Sequence, residues 1–263
     1  MNMPVSLYTT KFQAGLGVVS ETRLLLEAYE SGMTVNDLNQ AVLDSGLFST
    51  ISARRLRNLI RECFAPRYLV KNGAPARHLK IFTKQIDNRA FLQLLHLFTA
   101  RSQPMYRDFL TSVYWQACSD GRLSIGNDDA SRFLLRALDD GQMVKRWNES
   151  TIRRVSSYLT GCCADYGLLE PGARRIRRIL PYGIMPPVIV YLAYDLHFQG
   201  IGDNSMLSHE DWGLYGLDRD GTLDELKRIS RDGHFIIQSA GDAVRIAWKY
   251  ANIEETCRAI AGR

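Results

Sequence analysis

Arginine is the residue type whose number and spacing in this chain offer chemistry. Pairs stand at Arg54-Arg55, Arg153-Arg154, Arg174-Arg175 and Arg177-Arg178, and Arg57 and Arg61 follow the first pair at helical steps. A guanidinium stays charged at physiological pH and presents a fork of donors that matches a phosphate or a carboxylate. The chemistry on offer is therefore the binding of a polyanion rather than the making or breaking of a bond.

The first pair sits in Ser52-Ala53-Arg54-Arg55-Leu56-Arg57-Asn58-Leu59-Ile60-Arg61-Glu62-Cys63-Phe64. Leu56, Leu59, Ile60, Cys63 and Phe64 recur at three- and four-residue steps, which predicts a helix buried along one side and cationic along the other. Thr34-Val35-Asn36-Asp37 before it has the form of a capping box for a short helix through Leu43. Asp44-Ser45-Gly46 breaks that helix. Helix, glycine-containing break and a second helix with arginines at its first turn is the order of a helix-turn-helix, loose here because Leu47-Phe48-Ser49-Thr50-Ile51 lengthens the break. The same arginines on an isolated surface helix would serve solubility alone; the recurrence of the pattern favours binding.

It recurs in Lys145-Arg146-Trp147-Asn148-Glu149-Ser150-Thr151-Ile152-Arg153-Arg154-Val155. Asn148 or Ser150 can cap, Ile152, Val155, Ser156, Leu159 and Cys163 mark a buried side, and the arginine pair is expected in an exposed first turn. After the turn at Tyr166-Gly167-Leu168-Leu169-Glu170-Pro171-Gly172 comes Ala173-Arg174-Arg175-Ile176-Arg177-Arg178-Ile179-Leu180. Its alternation fits a basic edge strand, the kind of element a winged helix places after its helices. The alternative is an exposed edge guarded by charge against aggregation.

These segments need helices around them, and the apolar pattern supplies them. Helices are expected over Glu21–Tyr29, over the nearly all-round apolar stretch from Phe82 to Phe98, over Tyr106–Cys118, and from Asn127 with Phe133, Leu134, Leu135 and Leu138 inside. Asp128, Asp129, Asp139 and Asp140 read as helix-end residues. Residues 67–76 are expected to form a turn or loop. Pro186-Pro187 opens a helix to Phe198, Ser208 and Thr222 are further caps, and Asp218-Arg219-Asp220-Gly221 is a turn. His234–Trp248 reads as a hairpin with its tip at Ser239–Asp242, so that Lys227 and Arg228 precede a second wing. The fold class is mainly α, a helical bundle with helix-turn-helix and winged-helix-like units and short β-hairpin wings. It divides by motif into a three-helix unit over 1–78, a central helical domain with the basic strand over 79–200, and a C-terminal winged-helix-like module over 201–263.

Composition fits a folded globular chain of 263 residues, with 33 basic against 28 acidic residues and a net charge of +5. The five cysteines lack disulfide or zinc-site spacing and read as buried thiols. His96, in an apolar helix, reads as a core imidazole bonded to a neighbour. Gly15-Leu16-Gly17 lacks the context of a dinucleotide fingerprint, and there is no phosphate loop, serine elbow or His-Glu-x-x-His. No catalytic residue, metal or cofactor is expected. The N-terminal residues lack the form of a signal peptide, and the longest apolar run, Val188–Tyr194, is too short to span a bilayer, so a cytoplasmic protein is expected.

Tyr8 to Gly15 leading into Glu21-Thr22-Arg23-Leu24-Leu25-Leu26, Arg54-Arg55-Leu56-Arg57, and Trp147-Asn148-Glu149-Ser150-Thr151 with the exit Tyr166-Gly167-Leu168-Leu169 resemble the BrxA family, the small helical component of BREX bacteriophage-exclusion systems. The resemblance covers roughly residues 6 to 245. It implies a helical, bacterial cytoplasmic protein encoded beside a DNA methyltransferase, an ATPase and a phosphatase-like protein, acting in phage defence and with DNA-binding character; the missing catalytic motifs make it non-enzymatic on this reading. On that reading Arg54, Arg55, Arg57, Arg61, Arg153, Arg154, Arg174, Arg175, Arg177 and Arg178 meet the phosphates of double-stranded DNA. The alternatives are a scaffold whose arginines dock on acidic partner surfaces, and an RNA-binding protein like NusB, in which Tyr68, Trp147 or Trp212 would stack on bases.

Overall fold

The computed structural model describes residues 8–9, 18–48 and 51–262. Gly15-Leu16-Gly17, the N-terminal residues read for a signal peptide, most of the Tyr8–Gly15 segment and Ser49-Thr50 lie outside the described residues. The chain forms two compact units. One comprises residues 1–77 and 95–182, the other residues 78–94 and 183–263.

In the first unit, α1 (Val19–Ala28) precedes α2 (Val35–Ser45). The capping box is formed: the Thr34 hydroxyl accepts from the Asp37 N–H, and the Asp37 carboxylate accepts from the Thr34 N–H at 2.8 Å. Gly46 closes α2 with φ 68°, a left-handed geometry that glycine adopts without a Cβ penalty. Then α3 (Ala53–Asn58), a π-helical stretch (Leu59–Phe64) and α4 (Ala65–Tyr68) run on as one helix; the Ala65 N–H reaching back to the Ile60 carbonyl marks the wide turn. Leu56, Leu59, Ile60, Cys63 and Phe64 are buried, as their spacing requires.

The loop expected over 67–76 is much shorter. The helix continues through Tyr68, Lys71, Asn72 and Gly73 take left-handed angles, and α5 (Val70–Phe82) resumes behind them with Pro75 near the restart. Three left-handed residues reverse the chain in less space than a loop, and Gly73 lies against the Tyr29 hydroxyl where a Cβ would not fit. The apolar stretch from Phe82 is likewise cut by a turn at 83–87, after which α6 (Asn88–Ser102) is buried almost all round. His96 on α6 is fully buried, with Nδ1 3.0 Å from the Tyr106 hydroxyl. Beyond it run α7 (Pro104–Phe109), a second π-helical stretch (Leu110–Tyr114) and α8 (Trp115–Ser119).

Next come β1 (Ser124–Gly126), α9 (Asn127–Asp139), α10 (Glu149–Asp165) and β2 (Ile176–Arg178). β2 pairs antiparallel with β1, Ser124 opposite Arg178 and Gly126 opposite Ile176. The basic strand thus exists, one residue later than its alternation suggested, and its partner lies on the far side of α9 and α10 in sequence. Alternation puts Ile176 and Arg178 outside and Arg177 inside.

The second unit is built on α11 (Pro186–Phe198), buried from Val188 to Tyr194. After α12 (Asp203–Leu207), the short α13 (Glu210–Gly213) is capped by the His209 side chain rather than Ser208, and α14 (Arg219–Ser230) begins at what reads as a turn, because Asp218 accepts from the Gly221 N–H at 2.8 Å. The hairpin of β3 (Phe235–Ala240) and β4 (Ala243–Trp248) turns at Gly241-Asp242, a tighter tip than expected. Asn204 and Asp203 accept from the Val244 and Ile246 N–H groups on the outer edge of β4 at 3.0 and 2.9 Å. A last helix, α15 (Ile253–Ala261), capped by Asn252, turns Cys257 and Ile260 inward; no expectation covered it.

The architecture is mainly helical with two small antiparallel two-stranded sheets. Among the described residues no helix is long and apolar enough to cross a membrane, and no group of three or more His, Cys, Asp or Glu side chains is placed to hold a metal ion.

Candidate nucleic-acid interface

The Ser52 hydroxyl caps α3 by accepting from the Arg55 N–H at 3.3 Å. Arg54 and Arg55 therefore stand in the first turn, and with Arg57 they are exposed while Leu56 turns inward. None of the three forms an ion pair among the described residues. A shallow surface cleft runs past Ser52, Arg54, Arg55, Asn58 and Glu62. Arg61 lies outside that cleft, with Nε 3.5 Å from the Glu62 carboxylate.

The second pair differs from the first in depth along its helix. Asn148 caps α10 by accepting from the Thr151 N–H at 2.9 Å, so the helix starts at Glu149 and Arg153 and Arg154 fall in the second turn, not the first. The likeness to Ser52-Ala53-Arg54-Arg55 is thus one of residue order, not of helix position. α9 packs along α10 through hydroxyl contacts: Ser131 Oγ lies 2.8 Å from Ser156 Oγ, and Thr160 donates to the Asn127 side chain at 2.7 Å.

Between these helices lies an open groove of about 970 Å³. Asn127, Asp128, Ser131 and Leu135 line it from α9, and Arg153, Arg154, Ser157 and Tyr158 from α10. Arg175 reaches it from the segment before β2, whose main chain is held by a 2.8 Å bond from the Asn127 N–H to the Arg175 carbonyl. Three of the expected arginines, two from α10 and one from the segment that follows it, thus converge on one groove. Leu135, expected in the core, is 47 % exposed on its wall.

The remaining members of the basic run take other roles. Arg174 donates to the Glu170 carboxylate at 3.0 Å, and Arg178 is exposed without an ion pair among the described residues. Arg177 is only 6 % exposed and donates to the Glu170 carbonyl at 3.0 Å, so it supports the exit from α10 and offers no charge to solvent. Carboxylates also answer two of the groove arginines: Glu149 lies 2.6 Å from Arg153, and Asp128 3.3 Å from Arg175.

At the start of α9, Asp129 is buried and accepts from both Arg122 and Arg132 and from the Gly126 N–H at 2.8 Å. Burial alone would raise its carboxyl, but the Arg122 hydrogen bond, the Gly126 amide and the two guanidinium charges hold it below the usual carboxylate range. It is a structural anion that fixes the start of α9. Burial pushes the Cys163 thiol up to about 12 and raises Cys162 well above its ordinary value, so neither is a ready nucleophile. Of the rings read as candidate stacking platforms, Tyr68 and Trp212 are buried, whereas Trp147, 8 % exposed, lines the groove between α9 and α10.

Ser131, Leu135, Ser157 and Tyr158 were not foreseen as lining residues. For Ser131 and Ser157 the one signal was small polar residues on two consecutive helices, which becomes meaningful once α9 and α10 are known to pack together; Leu135 and Tyr158 carried none.

No curated protein matches this chain. Among solved structures, the crystal structure of an uncharacterized protein from Magnetospirillum magneticum is similar, with a TM-score of 0.59 and 15% identity over 74% of this chain and 95% of that one. At that identity the likeness concerns the fold alone. The sequence model of the BrxA family matches residues 6–195, a span that takes in every element framing the groove; on that match the chain belongs to the BrxA family, which associates it with the BREX phage-exclusion systems.

Proposed function

We propose that this protein is a non-enzymatic double-stranded DNA-binding component of a BREX system that holds the duplex mainly by its phosphates. The observation that carries this reading is the convergence of Arg153, Arg154 and Arg175 on one open groove. Arg54, Arg55 and Arg57 on α3, exposed and without an ion pair among the described residues, supply a second basic surface in the same unit, and Arg178 adds a further exposed charge. Few Asn or Gln side chains stand beside these arginines to read base edges, so sequence preference is modest. By motif, residues 1–78 and 79–200 are the binding modules and 201–263 serves packing, where acids dilute the charge; Arg228, for example, is paired to Glu225 at 2.6 Å.

A duplex-binding titration at several salt concentrations tests the reading, comparing wild type with Arg54→Glu/Arg55→Glu and with Arg174→Glu/Arg175→Glu. With about six phosphate contacts, log affinity falls against log salt with a slope near −5, at about 0.9 per contact. A slope near zero removes phosphate binding as the mechanism. Capture of the methyltransferase, ATPase or phosphatase-like protein by purified chain that ignores DNA, undisturbed by nuclease, would replace it with the scaffold reading.

A further inference from the structure

Resting on the reading that this groove meets a duplex, we infer that Asp128 and Glu149 are competing anions built into it. They hold Arg175 and Arg153 in the free protein and yield them when a phosphodiester backbone enters.

The geometry supports an exchange rather than a permanent tie. Arg153 and Glu149 are one turn apart on α10 with side chains 76 % and 87 % exposed, and Arg175 and Asp128 are 81 % and 74 % exposed. Ion pairs so open to water are weak, and a second anion displaces the first at little cost. Arg154 lines the same groove and has no ion pair among the described residues. The free groove therefore offers one open guanidinium and two occupied ones; a ligand that displaces both carboxylates meets three.

The carboxylates are also placed so that losing their partners leaves them held. Each stands in the first turn of its helix, Asp128 on α9 and Glu149 on α10, where the positive end of the helix dipole favours an anion. Release frees only the Arg175 side chain, because its main chain is bonded to Asn127. One phosphate ion can replace one carboxylate, whereas a backbone with repeated phosphates replaces both. The arrangement thus favours a polymeric phosphodiester over free phosphate.

The test is a double-mutant cycle on duplex affinity at fixed salt, with Glu149→Gln, Arg153→Ala and the two combined, and a parallel cycle with Asp128→Asn and Arg175→Ala. Each carboxamide should tighten binding by up to about fivefold, the upper range for exposed pairs, and the gain should vanish when its arginine is alanine. A gain that survives Arg153→Ala is a general charge effect and overturns the inference, as does no gain at all. Inorganic phosphate at matched ionic strength should displace the duplex no better than chloride; stronger displacement overturns the preference for a polymer. If wild type shows no salt-dependent duplex binding, it is the DNA reading that fails, a result distinct from a failed cycle on a protein that binds. Thermal unfolding of each variant checks that α10, whose Asn148 cap is untouched, remains folded.

Discussion

The main-chain N–H of Asn127 donates to the carbonyl oxygen of Arg175 at 2.8 Å, joining the first residue of α9 to the segment that leads into β2. This bond, next to the pairing of Gly126 with Ile176, brings the basic segment that follows α10 back to the start of α9 and sets it at the mouth of the groove between the two helices. The bond fixes the main chain from which the exposed Arg175 side chain extends.

Arg154 and Arg177 should separate binding from folding. Arg154→Ala removes an exposed guanidinium from the groove and should reduce the salt slope of duplex binding by about 0.9 with little change in stability. Arg177→Ala removes a buried donor to the Glu170 carbonyl and should cost about 1–3 kcal/mol in denaturant unfolding while the slope of the folded protein stays as in wild type. An unchanged slope for Arg154→Ala would take the groove out of the interface.

Asp129 gives the first unit a signature in acid. Its folded-state pKa is lowered, so its contribution is fully present above the unfolded value of about 3.9 and is lost as pH falls through the lower folded value. Stability followed against pH should show this loss below about pH 4 in wild type. Asp129→Ala should be less stable by about 1–3 kcal/mol near neutrality, from the lost cap and the unanswered arginines, with a flatter acid limb. A parallel acid limb in the variant would assign the loss to other carboxylates.

Gly73 combines a φ of 73° with contact against the Tyr29 hydroxyl. Gly73→Ala should lower stability by about 1–3 kcal/mol, since both strain and overlap oppose the added methyl. Adding Tyr29→Phe relieves the overlap but not the strain, so thermal unfolding should show partial recovery. Full stability in Gly73→Ala alone would mean that the turn yields without cost.

Tyr106→Phe removes the hydrogen bond to His96 Nδ1 in the core of the first unit. The expected cost is about 1–3 kcal/mol in urea unfolding, with duplex affinity of the folded protein unchanged. An affinity loss without a stability loss would give this buried pair a role beyond packing.

Much of this molecule was legible in its residues because the forces involved are local. The apolar spacing of Leu56, Leu59, Ile60, Cys63 and Phe64, the Thr34–Asp37 box, the Asn148 cap, the Pro186-Pro187 start of α11 and the hairpin alternation around Gly241 all act within a few residues, and all are present. Local rules failed where several left-handed residues replaced a loop at 71–73; α15 is a different case, for its local signals, the Asn252 cap and Ile253, Cys257 and Ile260 at helical spacing, stand in the sequence although no expectation covered it, and α11 is the surface on which it packs.

Alone, the sequence determined the helical class, most caps and which arginines belong to which segment. Only tertiary structure decided their use, because whether a guanidinium faces solvent, a carboxylate or a carbonyl depends on groups brought near from elsewhere. Arg177 turns inward because strand alternation and the β1 pairing put it there, while Arg175, two residues earlier, is carried to the groove by a bond to Asn127. Leu135 is exposed for the same kind of reason: helical spacing reports that a face exists, and only packing determines what covers it.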